Sequence, residues 1–210
     1  MPLNLPNLLT LSRIVFLPLF VAAFYLEGPA SNWCSFAIFA IAGVTDFFDG
    51  YFARAWQQQS SFGRFLDPIA DKLLIAAAII MLVAFDRIHG LAVLPALIIL
   101  CREILVSGLR EFLAEIQIGV PVSRLAKWKT VIQMLAIGFL LLGDVVPALP
   151  LGGIGVLGIW AAAVLTLVTG YDYFRRGVRH LLDAPNVKQP APDEEANSER
   201  DAPRKPAPEA

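Results

Sequence analysis

Six apolar stretches, at about 8–26, 33–53, 63–85, 91–113, 125–143 and 151–173, make up most of the chain. Each is near the ~20 residues an α-helix needs to cross a bilayer. Of the 210 residues, 57% are hydrophobic and only 17% charged, too apolar for an ordinary soluble domain of this length. The expected fold is an all-α integral membrane protein, a bundle of six transmembrane helices. Six crossings return both termini to one side.

Four carboxylates interrupt the second and third stretches: Asp46-Phe-Phe-Asp49-Gly50-Tyr-Phe-Ala53-Arg54, eight further residues, then Gly63-x-x-x-Asp67-x-x-x-Asp71. Ionised groups inside a membrane are costly and mark function or pairing. At roughly 100° per residue, Asp46, Asp49, Gly50 and Ala53 fall on one helical stripe with Arg54 at its edge, and Gly63, Asp67 and Asp71 share one stripe of the next helix. Clustered carboxylates stay protonated unless a positive charge sits among them. An oxygen-only ligand set suits hard divalent cations, so Mg²⁺ or Mn²⁺ is expected, as a pair of ions in a polar cavity. Gly50 and Gly63 lie on the carboxylate faces, where each costs about 1 kcal/mol relative to Ala and lets a ligand or facing backbone approach. The planar fork of Arg54 suits phosphate oxygens. Two other readings fit the acids alone: arginine pairing that only holds a bundle together, and the acidic pathway of a cation transporter.

Basic residues give the orientation, because short cytoplasmic connections collect Lys and Arg. Arg54 and Arg64 flank the second connection, Arg110, Arg124, Lys127 and Lys129 the fourth, and Arg175, Arg176 and Arg179 follow the last stretch. The opposite connections hold only Arg87 among Glu27, Asp86, His89 and Asp144. Both termini and the cavity mouth are therefore expected on the cytoplasmic side of a bacterial inner membrane. The start, Met-Pro-Leu-Asn-Leu-Pro, lacks the features of a cleaved signal, so the first stretch is expected to be retained. From Ala184 the chain turns to Pro alternating with charge, which divides it into a membrane domain at 1–183 and a disordered cytoplasmic tail at 184–210. Cys34 and Cys101 have no metal-ligand spacing and are expected as small packing residues.

The spacing of the acidic positions is similar to the signature of the CDP-alcohol phosphatidyltransferases, D-x-x-D-G-x-x-A-R-x8-G-x-x-x-D-x-x-x-D, and agrees at every fixed position. The resemblance implies phosphatidyl transfer from a CDP-linked lipid to an alcohol with release of CMP, by a helical membrane bundle that is a homodimer. It implies that Asp46, Asp49 and Asp67 bind the metal site and that Asp71 completes it and is the general base. It further implies that Asp49, Gly50, Ala53, Arg54 and Gly63 hold the cytidine diphosphate part.

The segments Thr-Asp-Phe-Phe-Asp-Gly, Phe-Leu-Asp-Pro-Ile-Ala-Asp-Lys, Arg-Glu-Ile-Leu-Val-Ser-Gly-Leu-Arg-Glu and Lys-Trp-Lys-Thr-Val-Ile-Gln-Met narrow this further. They resemble family members whose donor is CDP-diacylglycerol and whose acceptor is glycerol 3-phosphate, over about residues 4–175. The product implied is phosphatidylglycerol phosphate, in phospholipid biosynthesis; the alternative acceptor is phosphatidylglycerol, as in a cardiolipin synthase. Ala126 departs from the pattern, which has Gly before Lys-x-Lys-Thr. No nucleic-acid partner is expected; membrane lipid is.

An acceptor phosphate also accounts for cations at the cytoplasmic end of the later stretches. Arg110 and one of Lys127 or Lys129, about 200° apart on a helix, are the leading contacts, with Arg102 and Arg13 as further candidates. Arg13 otherwise snorkels to the headgroups, and Arg102 and Glu103 otherwise form a structural ion pair. Lys72 is expected to snorkel or pair with an aspartate. Pro68 is expected to kink the third helix. His89 and His180 lie outside the acidic motif.

Overall fold

The computed structural model describes the backbone of residues 5–55, 61–116 and 124–183, with side chains over 11–45, 69–114, 116, 125, 128–171 and 173–175. Six long helices follow one another: α1 (Leu5–Ala23), α2 (Pro29–Ala55), α3 (Ser61–Ala84), α4 (Val93–Glu115), α5 (Arg124–Leu142) and α6 (Leu151–Asp183). Single 3₁₀ turns at Gly90–Ala92 and Gly143–Val145 lead into α4 and follow α5. No strand occurs among the described residues.

The helices correspond one for one to the six apolar stretches. Among the described residues, Gly90–Ala114, Trp128–Val145 and Leu151–Arg175 are long and apolar enough to span a membrane, and Leu11–Ala23 is a shorter apolar helix. The last apolar run ends near 173, but α6 continues to Asp183. Arg and Leu are good helix formers wherever the backbone is solvated, and Pro185 disfavours helix at the residue before it. α3 is one helix across Pro68; the kink expected there lies outside the residues whose side chains are described, as does the tail from 184.

Small residues set how closely the helices pack. α5 makes its most extensive contacts with α6. A Cβ added at Gly155 would stand 2.6 Å from Leu140 Cγ, and one at Gly158 would stand 2.7 Å from Ala136 Cβ. Without those side chains the two backbones approach at the distance that small-residue interfaces allow in lipid. Phe20, Phe24, Leu82, Ile99, Ile137, Leu140 and Ile159 fill the interior. Large apolar side chains such as Val15, Ile80, Leu97, Leu105 and Leu167 are exposed. A lipid tail is as apolar as Leu, so this outer surface meets no penalty in a bilayer. Cys34 and Cys101 belong to this surface: both are free thiols and both are exposed, which corrects their expected role as packing residues. Exposed Tyr25 and Trp33 lie toward one end of the bundle, and Trp128 and Tyr171 toward the other, as aromatic belts do at the two interfaces.

Two polar layers close the bundle. At the end carrying the α1–α2 and α3–α4 connections, Arg87 Nη1 donates to Leu141 O at 2.7 Å, and Nη2 donates to Ser31 Oγ at 3.1 Å and Asn32 Oδ1 at 3.2 Å. Its guanidinium stacks on Phe24, 4.9 Å from the ring centre. Asn32 Nδ2 adds a bond to Leu142 O at 2.8 Å. Partial burial, with no acid among its described partners, holds Arg87 below the usual arginine pKa. Gly28 closes the α1–α2 turn at φ +61°, a conformation L side chains rarely adopt. The other polar layer, at the opposite end, holds the candidate site.

Candidate active site

α1, α2, α3 and α5 enclose a cavity of about 700 Å³. Its walls are almost wholly apolar, from Phe36 and Phe39 on α2 to Gly138 and Leu142 on α5. Arg13 of α1, Asp71 of α3 and Thr130 of α5 form its polar end. Along α5 the lining runs from Thr130 to Leu142, about 18 Å at ~1.5 Å per residue. One leaflet of a ~30 Å hydrocarbon core is about 15 Å deep. Among the described residues, the cavity is therefore as deep as a single lipid chain and polar at the end where a headgroup would sit.

Asp71 stands at the junction of this cavity and a charge cluster. Its Oδ2 accepts a bond from Lys72 Nζ at 2.8 Å. The same ammonium reaches Glu103 Oε2 of α4 at 2.9 Å. Glu103 is buried, and its Oε1 accepts from the buried Lys129 of α5, with Arg102 Nη1 3.6 Å away. Arg102 Nη2 donates to Thr169 Oγ1 of α6 at 3.3 Å, and the backbone at Gly170 lets the arginine stem pass: an added Cβ would stand 3.2 Å from Arg102 Cγ. Three cations thus meet two carboxylates, and four helices are joined through them. Breaking one partner of such a buried set leaves an uncompensated charge, at a cost of about 3–5 kcal/mol.

The positions expected from the sequence divide into two groups. Asp46, Asp49, Gly50, Ala53 and Arg54 lie on α2, and Gly63 and Asp67 on α3; their side chains are outside the described residues. So is the side chain of Lys127, on α5. The helical backbone keeps the spacing that puts Asp46 with Asp49, and Asp67 with Asp71, on common stripes. Gly43 and Val44, just before Asp46, line the same cavity as Asp71. α2 thus reaches the cavity that Asp71 lines within one turn of Asp46, and carboxylates of this kind are the ligands a hard divalent cation takes. Among the described residues alone no group of three metal-binding side chains assembles.

The cations are placed differently from one another. Arg13 is buried and lines the cavity, so it does not snorkel. Arg102 is mostly buried, and its Nε has no hydrogen-bond partner among the described residues. Arg110 is exposed, its guanidinium 5.7 Å from the Tyr173 ring centre. Lys129 turns inward to Glu103, and Lys72 pairs with an aspartate as expected. The sequence did not reveal that Lys72 and Lys129 share one carboxylate, nor that Thr130 and Thr169 join the polar layer. The available signal was a buried Glu one helix away from an Asp-Lys dipeptide, which fixes no partner.

Fold and site together define an all-helical membrane protein with a lipid-sized cavity ending on a carboxylate and a buried arginine. The CDP-alcohol phosphatidyltransferase family model matches residues 3–168, and the chain belongs to that family. It is 49% identical to a CDP-diacylglycerol--glycerol-3-phosphate 3-phosphatidyltransferase of Rickettsia felis, over 82% of this chain and 94% of that protein. Proteins of the same name from Haemophilus influenzae and Cereibacter sphaeroides are 42% and 38% identical, covering 87% and 86% of this chain and 98% of each relative.

Proposed function

We propose that this chain transfers the phosphatidyl group of CDP-diacylglycerol to the hydroxyl of glycerol 3-phosphate, giving phosphatidylglycerol phosphate and CMP. The observation that carries this reading is the cavity, which among the described residues is apolar over a lipid chain's depth and polar at Arg13, Asp71 and Thr130. Relatives that carry this activity in their names match it along nearly their whole lengths. An acyl chain of the donor occupies the apolar part, and the pyrophosphate lies at the polar end.

Asp46, Asp49, Asp67 and Asp71 hold Mg²⁺ or Mn²⁺, as two ions. Ions held there would supply the positive charge that offsets the pyrophosphate and the departing CMP. Asp49, Gly50, Ala53, Arg54 and Gly63 hold the cytidine diphosphate part. Asp71 takes the proton of the acceptor hydroxyl; that oxygen bonds to the lipid-bearing phosphorus as the bond to CMP breaks. Direct displacement is favoured because no Ser, Cys or His occupies a fixed position of the motif. Arg110 and Arg102 bind the acceptor phosphate, the first exposed and the second with an Nε that has no hydrogen-bond partner among the described residues. Lys127 joins them, because Lys129 is committed to Glu103; Arg13 faces the donor pyrophosphate from the cavity wall. All six helices cross a bacterial inner membrane, with both termini and the polar end of the cavity cytoplasmic. The working unit is a homodimer.

CMP release by purified protein in detergent, with CDP-diacylglycerol and Mg²⁺ or Mn²⁺, tests this. Release that requires glycerol 3-phosphate, and that falls at least ~100-fold in Asp71→Asn, is the expected outcome. Release with phosphatidylglycerol but not glycerol 3-phosphate would overturn the acceptor, and metal flux without CMP release would overturn the transferase.

A further inference from the structure

Glu103 is buried and lies on α4, outside the acidic motif of α2 and α3. It nevertheless reaches that motif through Lys72. One ammonium bridges two carboxylates, at 2.8 Å from Asp71 Oδ2 and 2.9 Å from Glu103 Oε2. A cation bound to a metal-ligating carboxylate competes with the metal for the same oxygen and repels it. A second anion on the far side of the ammonium weakens both effects.

We propose that Glu103 is a positioning residue that sets the metal affinity of Asp71 by sharing the Lys72 ammonium that would otherwise pair with Asp71 alone. The inference rests on the reading of Asp71 as a metal-binding carboxylate. Lys129 anchors the other oxygen of Glu103 and Arg102 flanks it, so the carboxylate is held where Lys72 can reach it. Lys72 and Asp71 are adjacent in sequence, so without Glu103 the lysine has Asp71 as its sole ion-pair partner among the described residues. Outer partners of metal ligands commonly tune affinity by about 10- to 100-fold.

The test is Mn²⁺ binding to the purified full chain in detergent, read from the electron paramagnetic resonance signal of free Mn²⁺. Glu103→Gln is made together with Lys129→Met, so that no buried charge is left alone. This double variant is expected to raise the Mn²⁺ Kd at least ~10-fold, and adding Lys72→Met is expected to return it to within about threefold of wild type. Wild-type affinity in the double variant, or no recovery on adding Lys72→Met, overturns the proposal. Should the double variant not fold, Lys72→Met alone decides: equal or tighter binding supports the proposal, and weaker binding overturns it. Asp71→Asn is the control, since unchanged Mn²⁺ affinity there would remove the metal reading of Asp71 itself rather than the role of Glu103.

Discussion

At the scale of single residues, the chain buries cations in two ways. Lys129 gives its charge to Glu103, whereas Arg87 has no acid among its described partners and is satisfied by a carbonyl, a hydroxyl, an amide oxygen and an aromatic face. Arg87 is far from the cavity's polar end and holds three connections together. Arg87→Met is expected to lower stability by about 2–3 kcal/mol, since bonds to a charged group are the stronger ones and their acceptors are left unpaired. A fall in the melting temperature of the detergent-solubilised protein, with kcat unchanged, would show it. A loss of kcat at unchanged stability would contradict the structural role.

At the scale of elements, glycine decides where helices touch. Gly158→Leu forces a side chain into the space Ala136 already fills and is expected to cost about 1–3 kcal/mol by overpacking. Gly153→Ala, five residues away on the same helix with nothing within 4 Å of the added carbon, is expected to be harmless; thermal unfolding of the pair measures the difference. Across the cavity, a Cβ at Gly43 would stand 2.6 Å from Met134 Cε, the far end of a flexible side chain. Gly43→Leu is therefore expected to fold and to narrow the groove between α2 and α5. Its apparent KM should rise several-fold for a long-chain donor and little for a short-chain one. An equal rise for both would place the acyl chain elsewhere.

At the scale of the whole molecule, the two polar layers differ in kind. One ties neutral partners around the single charge of Arg87; the other collects Arg13, Lys72, Arg102, Arg110 and Lys129 with the carboxylates. The K/R excess at the second end predicts that it faces the cytoplasm. In a Cys34→Ser/Cys101→Ser background, Glu27→Cys, on an exposed turn, should react with an impermeant maleimide in intact cells. Ser198→Cys in the tail should react only after permeabilisation. The reverse pattern would invert the topology.

The six helices and the stripe bearing the aspartates were legible because each depends on periodicity and length within one segment. A helix needs its ~20 apolar residues in one run, and an i, i+3 or i+4 spacing puts side chains on one face whatever the neighbours do. The partnership of Lys72, Glu103 and Lys129 was not legible, because it depends on the relative rotation and depth of α3, α4 and α5. Those are set by contacts such as Gly158 on Ala136, and no local pattern records them. The exposure of Cys34 and Cys101 has the same origin: lipid accepts small apolar residues as readily as the interior does, so their chemistry does not sort them. Sequence alone fixed the elements and the face that carries the motif. Only the packing of the helices decided which cation answers which carboxylate and how deep the cavity runs, because both are distances between segments far apart in the chain.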